Sequence, residues 1–271
     1  MTDQPLGGEM IDLAVKSRID RRTNAVKQLL LRRFQSLVQL SPIEEDALAR
    51  WAAGLDEHPA GSELQRDDEP GRRPCLITQG WACCQHVLRD GRRQVISILV
   101  PGDPLDLRMR PHPFAVTTTV ALTRVETCNL NALRHAIVTG SPDYGNLIKA
   151  CDMIGATEEY YLMHQIVRLG RQNAYERLAH LLMELYHRLQ LAGLAQDGRF
   201  FLPITQELLA DTLGLSSVHI NRTLQQLRRD KLIHWKGGLF KLLEPETLSM
   251  VADFQPKLRA PGGAILEQQL A

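Results

Sequence analysis

No stretch of this chain is apolar and long enough to cross a bilayer as a helix, and its polar, acid-containing start, MTDQPLGGEM, lacks the basic-then-apolar order of a secretory signal. Both absences point to a cytoplasmic protein without a membrane partner. Cysteine is sparse: five residues, Cys75, Cys83, Cys84, Cys128 and Cys151, odd in number and without CxxC spacing, argue for buried thiols and against a disulfide framework or zinc site. In a strand, adjacent Cys83 and Cys84 point to opposite faces, so at most one meets an oxidant. No HxH or HxE pair occurs, and His58, His86, His112 and His135 are scattered, so a metal-dependent enzyme lacks convergent ligands. Excess charge of one sign is missing too. The net charge is +1, so any nucleic-acid footprint has to come from local clustering.

What is present is enough for two domains: 271 residues with 44% hydrophobic content can bury a substantial core. The richest segment is ITQELLADTLGLSSVHINRTLQQLRRDKLI, from Ile204 to Ile233. Thr205 stands where an N-cap accepts from first-turn amides, a helix runs from Gln206 to Leu213, and Gly214 breaks it. Ser216 caps a second helix whose Ile220, Leu224 and Leu227 recur at helical spacing and pack on Leu209 and Leu213. Its other face is left for DNA. Ser217, Val218, Asn221 and Arg222 lie on the N-terminal turns, the part of a recognition helix that reaches base edges in the major groove. A guanidinium at Arg222 bridges O6 and N7 of guanine, and Asn221 suits adenine. The following LIHWKGGLFKLL reads as a two-stranded hairpin turned at Gly237 and Gly238, a wing. Lys236 and Lys241 flank its tip as phosphate contacts, with Thr205, Gln206 and Ser216 on the other side. The bland alternative is two amphipathic helices joined by a turn, with solvated lysines beside them.

Upstream, residues 1–25 read as a flexible tail, and a helical pattern runs from Val26 to Leu55, breaking near His58 and Pro59. The basic cluster of Lys16, Arg18, Arg21, Arg22, Lys27, Arg32 and Arg33 reads as a solvated helix face. From there to about Leu130, short alternating runs separated by Gly, Pro and Asp predict an antiparallel β domain of jelly-roll or barrel type, with a hairpin turn at Asp90 and Gly91. A long helix follows from Tyr144 to Leu169, carrying Leu147, Cys151, Ile154, Glu158, Tyr161 and Gln165 on one stripe. That stripe is expected to pair with a second copy, which would make the operator palindromic; packing on the chain's own β domain is the alternative. The expected fold is therefore α+β, in units at 26–142, 143–170 and 171–254, with an extension at 255–271.

The order of these parts, with DGRRQVISILVPGD at Asp90 to Asp103, LGRQNAYERLAHLLMEL at Leu169 to Leu185 and LGLSSVHINRTLQQLRRDKLI at Leu213 to Ile233, resembles the Crp/Fnr family of bacterial transcription regulators. The resemblance covers about Leu30 to Phe254. It implies a cyclic-nucleotide-binding-like β-roll that senses a signal, a dimerisation helix, and a winged helix-turn-helix that reads DNA. RNA polymerase becomes a partner if the protein is an activator. Two departures qualify it. Many relatives carry a Glu, accepting from cytosine, where this chain has Val218, which offers only an apolar surface such as a thymine methyl would meet. Members that bind cyclic AMP neutralise its phosphate with an Arg-Ser or Arg-Thr pair, where the matching positions here are Ala115 and Val116, so a buried phosphate would stand uncompensated. Arg108, Arg110 and His112 are the remaining candidates for an effector pocket. The iron–sulfur branch uses cysteines near the N-terminus, whereas the first here is Cys75, and haem on His58, His86 or His112 stays open. A metal-dependent enzyme on the β domain and a ligand-binding module without DNA recognition remain the competing functions.

Overall fold

The computed structural model describes residues 7–52, 54–66, 73–107 and 117–256, with side chains from residue 21 onward. Two helices come first, α1 (Gly7–Gln35) and α2 (Pro42–Trp51). The helix therefore begins at Gly7 and corrects the expected loose tail, since no proline interrupts Gly7 to Gln35 and good helix formers such as Ala, Leu, Lys and Arg recur along it. The continuous helical pattern expected as far as Leu55 is likewise broken, because Ser41 and Pro42 start a new helix through a capping box with Glu44.

The next eight strands are β1 (Leu55–His58), β2 (Glu63–Gln65), β3 (Cys75–Gln79), β4 (Ala82–Val87), β5 (Arg93–Leu99), β6 (Pro104–Leu105), β7 (Thr118–Ala121) and β8 (Val125–Asn129). They form two four-stranded antiparallel sheets, ordered β1-β8-β3-β6 and β2-β7-β4-β5, the expected β-roll. Leu88 N–H donates to Arg92 O across the Asp90–Gly91 turn. Cys83 is buried and Cys84 half-buried on opposite sides of β4. Burial pushes the thiols of Cys75, Cys83 and Cys151 up to about 12.

Helices α3 (Asn131–Val138), α4 (Gly145–Arg171) and α5 (Ala174–Leu191) follow, with a short 3-10 turn at Pro142–Tyr144 between the first two. No side chain of its own caps α4. The buried Glu44 of α2 does so from a distance, accepting from the amides of Asn146 (2.8 Å) and Leu147 (3.0 Å). The stripe expected at a dimer seam is turned inward instead. Leu147, Cys151 and Ile154 are buried against α1 and α3, Tyr161 packs on Arg188, and Gln165 is buried against β5. The apolar residues that α4 leaves in solvent are Leu162, Met163, Ile166 and Val167. Apolar spacing identifies a buried stripe but does not say which of two partners covers it.

Where β-roll and C-terminal half meet, α5 carries a buried ionic cluster. Glu184, 3% exposed, accepts from Arg168 of α4 (2.7 Å) and from Arg188 (3.1 Å). Arg188 also pairs with Asp103, in the turn after β5. Burial pushes the Glu184 carboxyl up, but the two arginines outweigh it and hold it below the usual range. Arg33 of α1 is buried beside this cluster, which corrects the reading of its helix as uniformly solvated.

His180 completes the cluster. Arg168 donates to its Nδ1 (3.2 Å), so the neutral ring carries its proton on Nε2, facing Nδ1 of His164 at 3.0 Å. Burial first, and Arg168 second, depress its pKa from 6.5 to about 4. Because the unfolded chain takes up this proton near 6.5, the stability tied to neutral His180 is fully present above that pH and is lost as pH falls toward 4. Urea unfolding from pH 7 to pH 4.5 should show a loss of about 2 kcal/mol that His180→Gln removes; parallel curves for both proteins would refute the assignment.

Candidate nucleic-acid interface

The remaining elements are β9 (Arg199–Phe201), α6 (Gln206–Leu213), α7 (Ser217–Arg229), β10 (Ile233–Lys236), β11 (Leu239–Leu242) and α8 (Pro245–Ala252). Thr205 caps α6 by accepting from Leu208 N–H, and Ser216 caps α7 by accepting from His219 N–H. Gly214 ends α6 at φ 63°, a left-handed conformation that costs glycine little. Ile220, Leu224 and Leu227 of α7 are fully buried against α5 and α6. That burial turns Ser217, Val218, Asn221 and Arg222 outward together, all four exposed on the first two turns. Gln225 Nε2 donates to Asn221 Oδ1 at 3.0 Å, one turn along the same face. Asn221 Oδ1 thus accepts one hydrogen bond within the helix and keeps its second lone pair and its amide hydrogens.

β10 and β11 pair antiparallel from Ile233↔Leu242 to Lys236↔Leu239, turning through Gly237 (φ 59°) and Gly238 (φ 80°). β9 joins on the far side of β11 and makes the wing a three-stranded sheet. Lys236 is exposed at the turn, whereas Lys241 is half-buried between His234 and Arg199. Thr205 is exposed, Gln206 half-buried and Ser216 exposed at the opposite margin.

Several residues that position this surface escaped the sequence reading. Arg177 donates from Nε to Gln172 O (2.7 Å), from Nη1 to Leu213 O (2.9 Å) and from Nη2 to Leu169 O (2.9 Å). One side chain thus ties the end of α4 to the end of α6. Its signal was present four residues after Asn173, whose capping box opens α5. From the β-roll, Arg93 pairs with Asp211 of α6 at 2.5 Å, and Gln94 donates to Asp211 O and Thr212 O. Gln165, assigned from sequence to a dimer seam, donates to Thr212 O at 2.6 Å. Tyr175 O–H donates to Asp230 Oδ2 at 2.6 Å, fixing the far end of α7.

The other sequence candidates do not converge. His58 lies on β1 beside Thr127 (3.1 Å), and His86 is exposed on β4 in the other sheet. No group of three or more His, Cys, Asp or Glu side chains with metal-binding geometry occurs among the described residues. Arg108, Arg110, His112, Ala115 and Val116 lie outside those residues.

A model of the Crp-like helix-turn-helix domain matches residues 176–251. The chain is 28% identical over 217 residues to the transcriptional activatory protein AadR of Rhodopseudomonas palustris, spanning 79% of this chain and 87% of that protein. It is also 28% identical over 178 residues to the nitrogen fixation regulation protein FixK of Bradyrhizobium diazoefficiens, spanning 65% of this chain and 72% of that one. Among solved structures, FixK2 from Bradyrhizobium japonicum shares the fold at TM-score 0.64 and 22% identity, covering 75% of this chain and 98% of that chain. A β-roll joined by a long helix to a winged helix-turn-helix, together with these matches, defines a DNA-binding transcription regulator. The chain resembles the Crp/Fnr regulators in this fold and in the Crp-like helix-turn-helix match at residues 176–251. Its relatives are regulators, and the metal-enzyme alternative falls with that assignment.

Gly238 sets the wing geometry, since a Cβ there would approach Phe201 Cε2 to 2.6 Å in a backbone conformation that side chains rarely adopt. Gly238→Val should lower stability by about 1–3 kcal/mol in chemical denaturation, and an unchanged midpoint would show that the wing turn tolerates a side chain.

Proposed function

We propose that the protein acts as a cytoplasmic homodimer that reads a two-fold palindromic operator, one recognition helix α7 entering the major groove of each half-site. The observation that carries this reading is the joint exposure of Ser217, Val218, Asn221 and Arg222 on the first turns of α7, with Lys236 on the wing. Arg222 takes guanine through two parallel bonds, and Val218 presents an apolar surface to a thymine methyl. Asn221 suits adenine through its amide hydrogens and the remaining lone pair of Oδ1. Thr205, Gln206, Ser216, Lys236 and Lys241 meet phosphates and set the register. Because Val218 cannot accept from cytosine, the half-site differs there from that of relatives carrying Glu.

The dimer seam is the exposed side of α4. Leu162, Met163, Ile166 and Val167 recur at helical spacing there, and an isologous pairing of this strip with a second copy removes it from water. A two-fold axis along α4 places two recognition helices on one face of a duplex. AadR and FnrL are named transcriptional activators, which supports activation and RNA polymerase as a partner. Ala115 and Val116 at the matched positions disfavour cyclic AMP as the signal, and Cys75 as the first cysteine of this sequence disfavours an N-terminal iron–sulfur cluster.

Selection of random duplexes by the purified protein should return a palindrome. On the recovered operator, Arg222→Ala should weaken binding by about 1–3 kcal/mol while leaving random-sequence affinity nearly unchanged. Lys236→Ala should weaken both alike and reduce the salt slope by about one. Equal losses on operator and random DNA for both variants would sink this division of labour. Ile166→Glu should sediment as a monomer with intact circular dichroism and lose tight operator binding; a dimer of normal mass would move the seam elsewhere.

A further inference from the structure

A small cavity lies where the β-roll meets the C-terminal half, lined by Arg33 of α1, Gly102 and Asp103 of the turn after β5, Tyr161 of α4, and Arg188 and Ala192 around the end of α5. It admits the centre of a single water-sized group over about 10 Å³. Arg33 and Arg188, which line it, each carry a buried donor without a partner. Nε of Arg33 and Nε of Arg188 have no hydrogen-bond partner, and both residues are 7% exposed. Two orphaned guanidinium donors on one cavity are an expensive arrangement, since each forfeits its hydration without replacement.

The charge balance around the cavity runs the same way. Arg33, Arg168 and Arg188 are buried together with only Glu184 and Asp103 as acids. Among the described residues no carboxylate pairs with Arg33, so one positive charge is left over. Asp103 also lines the cavity, and its charge opposes an anion there. Its Oδ2 is already engaged, accepting from Val100 N–H at 2.7 Å and from Arg188 Nη2.

We propose that this cavity binds a small monovalent anion of chloride size, held by the Nε–H groups of Arg33 and Arg188. The enclosed space is too small for a nucleotide or an amino acid, and a cation would face two guanidiniums against the single carboxylate of Asp103. The site is built from helices and the turn after β5 rather than from the strands of the β-roll. Because its walls come from α1, the β-roll turn, α4 and α5, the occupied site favours the packing of sensor and DNA-binding halves seen here.

The test is thermal unfolding of the full chain at constant ionic strength, with glutamate, too large for the cavity, replaced by chloride or bromide. Relative to Arg33→Met, the wild-type midpoint should rise by about 2–4 °C on exchange to halide. Equal responses of the two proteins would overturn the site. Should Arg33→Met fail to fold, crystals of the wild-type protein grown in bromide supply the second reading. An anomalous peak beside Nε of Arg33 and Nε of Arg188 supports the proposal, and bromide elsewhere only, or none, refutes it.

Discussion

Glu184 is the group around which the two halves of this molecule are joined. A carboxylate so deeply buried is costly to ionise, and only the paired guanidiniums of Arg168 and Arg188 make it tolerable. Each arginine brings a different element: Arg168 belongs to the long helix, and Arg188 reaches back to Asp103 in the β-roll. The cluster has little value as net stability, because desolvation offsets most of the attraction. Its effect is geometric. An ion pair in a poorly polarisable interior tolerates few alternative packings, so α4, α5 and the β5 turn are held in one relation.

That relation sets the presentation of the DNA-reading surface. Trp81, Val95 and Ile98 of the β-roll share one apolar core with α5, α6 and α7. Around it, Arg93 and Gln94 hold the end of α6, Gln165 holds Thr212, and Arg177 joins the ends of α4 and α6. A change in the β-roll therefore has a short route to the recognition helix through β5, without passing along the whole of α4. The neutral His180 at the edge of the cluster adds sensitivity to acid, since charging it would place a cation against Arg168.

Local signals in the sequence were sufficient for much of this. Thr205, Gly214, Ser216 and the Gly237–Gly238 pair are caps and turns whose conformations depend on neighbours within a few residues, and each was legible. The outward set on α7 followed from the inward set, because Ile220, Leu224 and Leu227 leave one face of a helix free. The alternating strands and the Asp90–Gly91 hairpin were legible for the same reason. The N-terminal helix was read too short, since a polar segment without a strong apolar stripe gives periodicity little to act on.

By itself, then, the chain determined its element types, its order along the sequence, its winged helix-turn-helix and the four residues exposed together on the first turns of α7, all of them consequences of short-range pattern. Tertiary structure alone decided that Leu147, Cys151 and Ile154 pack inward while Leu162, Met163, Ile166 and Val167 face solvent, because two apolar stripes lie on one helix and α1 and α3 cover only one. It alone also brought Arg33, Asp103, Arg168, Glu184 and Arg188 together from four separate elements. The physical reason is that a buried charge is defined by partners distant in sequence, and no local spacing encodes which of 32 cationic side chains will lose its water.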